Sequence, residues 1–139
     1  MERFWQAEST IDDYYCSKCQ KTSTCSRTVD FFRLPEVLVI QLKRFEYGRF
    51  SKRKINDEIK IEKTLNLENF LNSESKEKNG KYSLVGMIHH FGDTDFGHYI
   101  ADVFDHKRKK WFEMNDSKAS ESGVGSSTKT GYILFYEKQ

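Results

Sequence analysis

The chain has a single proline, Pro35, and no apolar run approaching the roughly 20 residues that a membrane-spanning helix requires. Its longest apolar stretches are of the kind seen at 38–40 and 132–136. An excess of one charge is missing too. The 23 basic and 21 acidic residues nearly cancel, to a net +2. That leaves no general electrostatic case for nucleic acid or a membrane surface as partner. The basic runs at 52–54 and 107–110 do not extend into a stripe and read as solvated turns. Cysteine is sparse: three, an odd number, make no disulfide framework and point to a reducing compartment, cytosol or nucleus. The opening, MERFWQAEST, lacks the apolar centre of a secretory signal, so export is not expected.

Aromatic residues, by contrast, are plentiful at 14%, and 139 residues suffice for one domain with a real core. With so little proline, alternating aromatics favour sheet over disordered linker. Residues 1–13 are polar and mixed, and read as the tail end of something rather than a capped start. The strongest strand signal is EVLVIQLKRF, 36–45, read as buried: Leu38, Ile40 and Leu42 share one face, Val37 and Val39 the other. Pro35 sits at its entrance, where a missing N–H does least harm. The segment 46–57 reads as a polar loop, followed by Ile55, Ile59 and Ile61 in rough alternation. Asn66 is placed to cap a short helix with Leu67, Phe70 and Leu71 on one face. SESKEKNGK, 73–81, has no apolar residue and reads as disorder. Three strands follow, at 81–90, 97–104 and 110–116, then a soft stretch, 117–131, and a last strand, YILFY. There is no internal repeat. The class is α+β with a dominant antiparallel sheet.

GHYIADVFD and KWFEMND are joined by a short charged turn, which is hairpin logic. With His106 and Lys107 as the two loop residues, His98 falls directly opposite Asn115, and opposed Cβ atoms lie about 4.5–5.5 Å apart. An amide oxygen there accepts the Nδ1–H of the imidazole and leaves Nε2 free as a base. A one-residue change in loop length brings Asp116 opposite instead. Gly92 and Gly97 leave backbone room for an extended substrate tail. The bland alternative is an ordinary surface His-Asn pair. His89 and His90 alternate, one facing in and one out, in structural roles, and His106 decorates the turn.

Cys16 and Cys19 form a Cys-x-x-Cys knuckle, but a structural zinc wants four ligands, and Cys25 makes no second knuckle. Two readings stay open: a reduced pair with no metal, or half of a four-Cys zinc site. No βαβ unit supports a thioredoxin-like role. No cysteine is expected at a helix N-terminus, where a thiolate would be stabilised. The chain therefore offers a base and an orienter without a visible nucleophile.

YYCSKC, LPEVLVIQLKRF, KYSLVGMIHHFGDTDFGHYIADV, WFEMNDS and GYILFY, taken in order and spacing from Phe4 to Tyr136, resemble the ubiquitin-specific protease family. The resemblance implies a papain-like cysteine isopeptidase that cuts after the C-terminal glycine of ubiquitin. It implies His98 as general base, Asn115 as its orienter and Asp116 as a polarising neighbour. It implies that loops 46–56 and 92–97 flank the ubiquitin tail, with Gly92, Gly97 and Tyr99 as substrate contacts. Cys16 and Cys19 resemble the second knuckle of that family's zinc-ribbon fingers. The family's Gly-x-x-Asn-x-Gly-Asn-Thr-Cys-like nucleophile box, its oxyanion-stabilising Asn and its first knuckle do not occur here. The resemblance thus implies that 1–139 is the C-terminal portion of the catalytic domain: the palm-type sheet with part of the fingers, inactive alone. The expected partners are ubiquitin, ubiquitinated proteins and the missing N-terminal half, with zinc as the one candidate cofactor. The rival function is a non-catalytic ubiquitin-binding module or scaffold.

Overall fold

The computed structural model describes residues 9–139, with side chains from Thr10 onward. The reading of the first residues as a tail end, and the start of the resemblance at Phe4, lie outside the described residues. Two compact units are interleaved along the chain.

The first takes in residues up to Leu34 together with 67–78. Strands β1 (Ser9–Cys16) and β2 (Lys21–Arg27) form an antiparallel hairpin with a bulge between Ile11 and Tyr14. The expected helix is only a 3₁₀ turn, Glu68–Phe70. Leu67 rather than Asn66 holds the N-cap position, with no side-chain cap bond. Three apolar positions supply too few residues to carry the cost of helix nucleation. The stretch that follows is anchored: Ser75 Oγ donates to Phe32 O at 2.8 Å, and Glu74 N–H to Asn72 Oδ1 at 2.9 Å. That replaces the disorder expected for this run.

The second unit, 35–66 and 79–139, is built on a seven-stranded antiparallel sheet. Its strands, with the short ribbons between them, are β3 (Val37–Gln41), β4 (Phe45–Tyr47), β5 (Lys52–Lys54), β6 (Ile59–Lys60), β7 (Thr64–Asn66), β8 (Lys81–Gly92), β9 (Gly97–Asp105), β10 (Lys110–Asn115), β11 (Lys118–Ser122), β12 (Ser127–Thr128) and β13 (Gly131–Lys138). The sheet order is β11-β10-β9-β8-β13-β3, with β7 also paired to β8. Among the described residues there is no α-helix, so the fold is mostly β where a mixed class was expected.

Alternation sorts the core. Leu134 stands between Met87 and Ile40, and Tyr136 between Leu84 and Leu38; all but Ile40 and Leu38 are buried. Burying such side chains contributes roughly 1.5–3 kcal/mol each. Tyr136 Oη donates to Glu62 O at 2.8 Å, and burial pushes its phenol up to about 12. The opposite row runs Val39, Phe135, Gly86, Val103, Phe112, and stays partly open. Val39 is 54% exposed, so β3 is an edge strand buried on one face only, not the two-sided strand its sequence predicts. The soft stretch after Ser117 contains β11, which pairs with β10 from Asn115 opposite Lys118. Asp116, at φ 52, opens the two-residue turn between them, the left-handed geometry that suits tight hairpins. The polar loop 46–57 is likewise a hairpin: β4 pairs with β5, and Gly48 N–H closes the turn on Ser51 O at 2.7 Å.

Candidate functional site

β8 and β9 are joined by residues 93–96. Asp93 N–H donates to Phe96 O at 2.9 Å, and Thr94 N–H to Asp93 Oδ1 at 2.7 Å. Gly92 enters this turn at φ 104, a conformation side chains disfavour, and a Cβ there would lie 2.6 Å from Phe96 O. Gly97 leaves it pressed against the His90 imidazole and Phe91 O, with no room for a Cβ. Both glycines are therefore required by the turn itself. Tyr99, 53% exposed, stacks at a tilt on His90, ring centroids 4.7 Å apart.

His98 follows Gly97 and is exposed, opposite Phe91 on β8. Its Nε2 lies 2.7 Å from Asn115 Oδ1. The β9–β10 turn is four residues, 106–109, because Lys110 pairs with Asp105 and the last pair is Met114 with Ala101. The register thus differs by two from the expected one, and Asn115 sits beside Ile100, diagonal to His98 rather than opposite. A shift of two keeps both residues on one face, and diagonal neighbours remain within reach of long side chains. The ring nitrogens exchange roles relative to expectation. Nε2–H donates to the amide oxygen, and Nδ1 carries no hydrogen bond among the described residues. Asp116 is exposed in its turn, and its carboxylate has no hydrogen-bond partner among the described residues.

Arg44 and the partners of His89 and His90 went unread in the sequence. Arg44 is buried, its guanidinium donating to Gly131 O (2.6 Å), Ile55 O (2.9 Å), Asp57 O (3.0 Å) and Thr128 O (3.2 Å). Desolvation lowers its pKa, and Asp57 opposes that. His89 is also buried, between Asp102 Oδ2 at 2.9 Å and Thr130 Oγ1 at 2.8 Å; Ser122 Oγ donates to Asp102 Oδ1 at 2.8 Å. His90, on the other face, is buried too, so neither histidine faces out as expected. Its Nδ1 has no hydrogen-bond partner among the described residues, and desolvation, then the Lys54 cation, push its pKa down. A lone Asp or Thr far along the chain carries no local signal of such pairing.

Cys16 and Cys19 sit at the end of β1 and in the turn before β2. Cys16 Sγ accepts the Cys19 N–H at 3.4 Å, and Gln20 adopts φ 54 as the chain turns back. The Cys19 N–H first, then the Cys19 side chain and the Lys18 N–H, hold the Cys16 thiol below its usual range. That favours the thiolate a metal takes. Among the described residues no third ligand gathers with them, and Cys25 stands on β2 opposite Ile11. The donor set fits half a tetrahedral zinc site. No cysteine lies in the unit that carries His98.

The sequence profile described as ubiquitin carboxyl-terminal hydrolase matches residues 6–136. A ubiquitin carboxyl-terminal hydrolase 8 from Saccharomyces cerevisiae is 35% identical over 147 residues, covering 98% of this chain and 31% of that protein. A ubiquitin carboxyl-terminal hydrolase 4 from Mus musculus is 31% identical, covering 92% of this chain and 13% of its own length. Among solved structures, the SAGA Ubp8/Sgf11/Sus1/Sgf73 DUB module bound to ubiquitin aldehyde superposes with a TM-score of 0.81 at 32% identity, over 99% of this chain and 32% of that one. A form of the same module bound to monoubiquitin superposes at 0.82, over 99% of this chain and 31% of that one. The chain thus spans less than a third of the length of these relatives. On a match that runs across nearly all of it, this chain belongs to the ubiquitin carboxyl-terminal hydrolase family.

Proposed function

We propose that the chain supplies the general base and its orienting amide to a thiol-dependent deubiquitinase. The observation that carries this is the 2.7 Å contact from His98 Nε2 to Asn115 Oδ1, which leaves Nδ1 free. In the reaction, His98 Nδ1 takes the proton of a cysteine thiol. The thiolate attacks the carbonyl of the C-terminal glycine of ubiquitin, and the imidazolium returns the proton to the leaving amine. Water then releases the acyl group with the same base. Asn115 holds one tautomer throughout, and Asp116 adds a nearby negative charge. Gly92, Gly97 and Tyr99 border the approach to His98 and accommodate the tail. The attacking thiol belongs to a nucleophile box outside the residues 1–139, which makes this chain inactive by itself.

Cys16 and Cys19 would hold a zinc ion together with two further thiolates, and the ion would supply a structural cross-link there. Ubiquitin and ubiquitinated proteins are the partners this reading requires, in the cytosol or nucleus.

The test is a ubiquitin probe with a thiol-reactive C-terminus, applied to native extract. An adduct containing these peptides and well above ubiquitin plus 16.4 kDa is the expected result. A 16.4 kDa species that never labels would leave ubiquitin binding without catalysis as the function.

A further inference from the structure

Two lysines of β5 reach the turn that precedes the base. Lys52 and Lys54 are one strand repeat apart, so both side chains leave the same face of β5. Lys54 Nζ donates to His90 O at 2.8 Å and to Gly92 O at 2.9 Å. Lys52 Nζ meets Asp95 Oδ1 at 2.6 Å. The two carbonyls that Lys54 holds flank Phe91, the residue opposite His98, and Gly92 itself stands opposite Gly97.

The ladder makes that grip consequential. β10 pairs with β9 only as far as Ala101. Before Ala101, β9 is laddered on one side, by β8, through Gly92 with Gly97, Phe91 with His98 and His90 with Tyr99. The place of His98 therefore follows the place of the end of β8. Gly97 packed against the His90 ring adds a steric link along the same path.

The two lysines are not equivalent. The Lys52–Asp95 pair is 54% and 65% exposed, the setting in which ion pairs contribute little. Lys54 is half-buried and gives two charge-assisted bonds to backbone oxygens, which are stronger and harder to replace by water.

We propose that Lys54 is a positioning residue for this site, pinning the end of β8 through the His90 and Gly92 carbonyls and so setting where His98 stands. It touches no substrate. The catalytic consequence rests on the proposed function; the structural half stands without it.

Two readouts separate these. In the full chain, amide hydrogen exchange over 91–98 is expected to quicken by roughly tenfold or more in Lys54→Met, to return near the parental rate in Lys54→Arg, and to stay parental in Lys52→Met. In the protein that forms the ubiquitin-probe adduct, Lys54→Met is expected to lower kcat by roughly tenfold with KM within about threefold, as a displaced base requires. Parental exchange in Lys54→Met, or no restoration by Lys54→Arg, would overturn the inference. Should Lys54→Met fail to fold, Lys54→Ala also removes both donors, and parental exchange in that variant overturns it equally. If no adduct forms, the functional reading fails, and the exchange measurement alone decides the role of Lys54.

Discussion

Asn115 receives the His98 hydrogen bond from a diagonal position, two residues out of the register that would place the pair face to face. The contact depends on both residues lying on one face of the sheet, which any even shift preserves.

Removing the amide should separate orientation from binding. Asn115→Ala in the adduct-forming protein should lower turnover by about 10²-fold, the usual scale for a general base. Ubiquitin affinity should move little. Steady-state kinetics beside a binding titration checks this, and unchanged turnover would remove Asn115 from the mechanism.

Gly97 and His90 should be coupled. Gly97→Ala drives a methyl into the His90 ring and should cost about 1–3 kcal/mol in urea unfolding. His90→Ala clears the space, so the double variant should lose less than the two single losses combined. Simple additivity would mean the backbone at Phe91, not the ring, sets the limit.

His90 also predicts a pH dependence. Burial and the Lys54 cation lower its folded pKa, so the unfolded chain binds the proton more readily. Stability is then full above the unfolded value of about 6.5 and is lost as pH falls below it toward the folded pKa. His90→Phe should flatten that part of the stability curve, measured by denaturant unfolding at several pH values. A slope unchanged by the substitution would assign it to other groups.

The half-site makes a metal prediction. The isolated chain should hold zinc weakly, since Cys16 and Cys19 supply two of four ligands, and adding a second Cys pair should give tight, stoichiometric binding. Equilibrium dialysis with elemental analysis distinguishes the cases. Tight zinc in the isolated chain would mean that ligands other than a second pair complete the site.

By itself, the sequence determined the strands from 81 to 116 and the shared face of His98 and Asn115, because period-two alternation is local and survives a register slip of two. The sequence marks Gly92 and Gly97 as room for a substrate tail, whereas in the structure backbone and the His90 ring already exclude a side chain at both. Other features were decided only in three dimensions. The run KASES has no apolar signal, and it becomes β11 because the turn at Asp116 folds it onto β10. Leu67, Phe70 and Leu71 looked helical, yet a single turn cannot carry its own nucleation, and packing left it as 3₁₀. Val37 and Val39 read as core until the sheet order put β3 at an edge. Arg44 with its four carbonyls, His89 with Asp102, and Lys54 with the end of β8 join residues 11 to 87 positions apart. Such pairings arise from the closure of the sheet, which brings together groups whose affinity for one another leaves no trace in their own neighbourhoods.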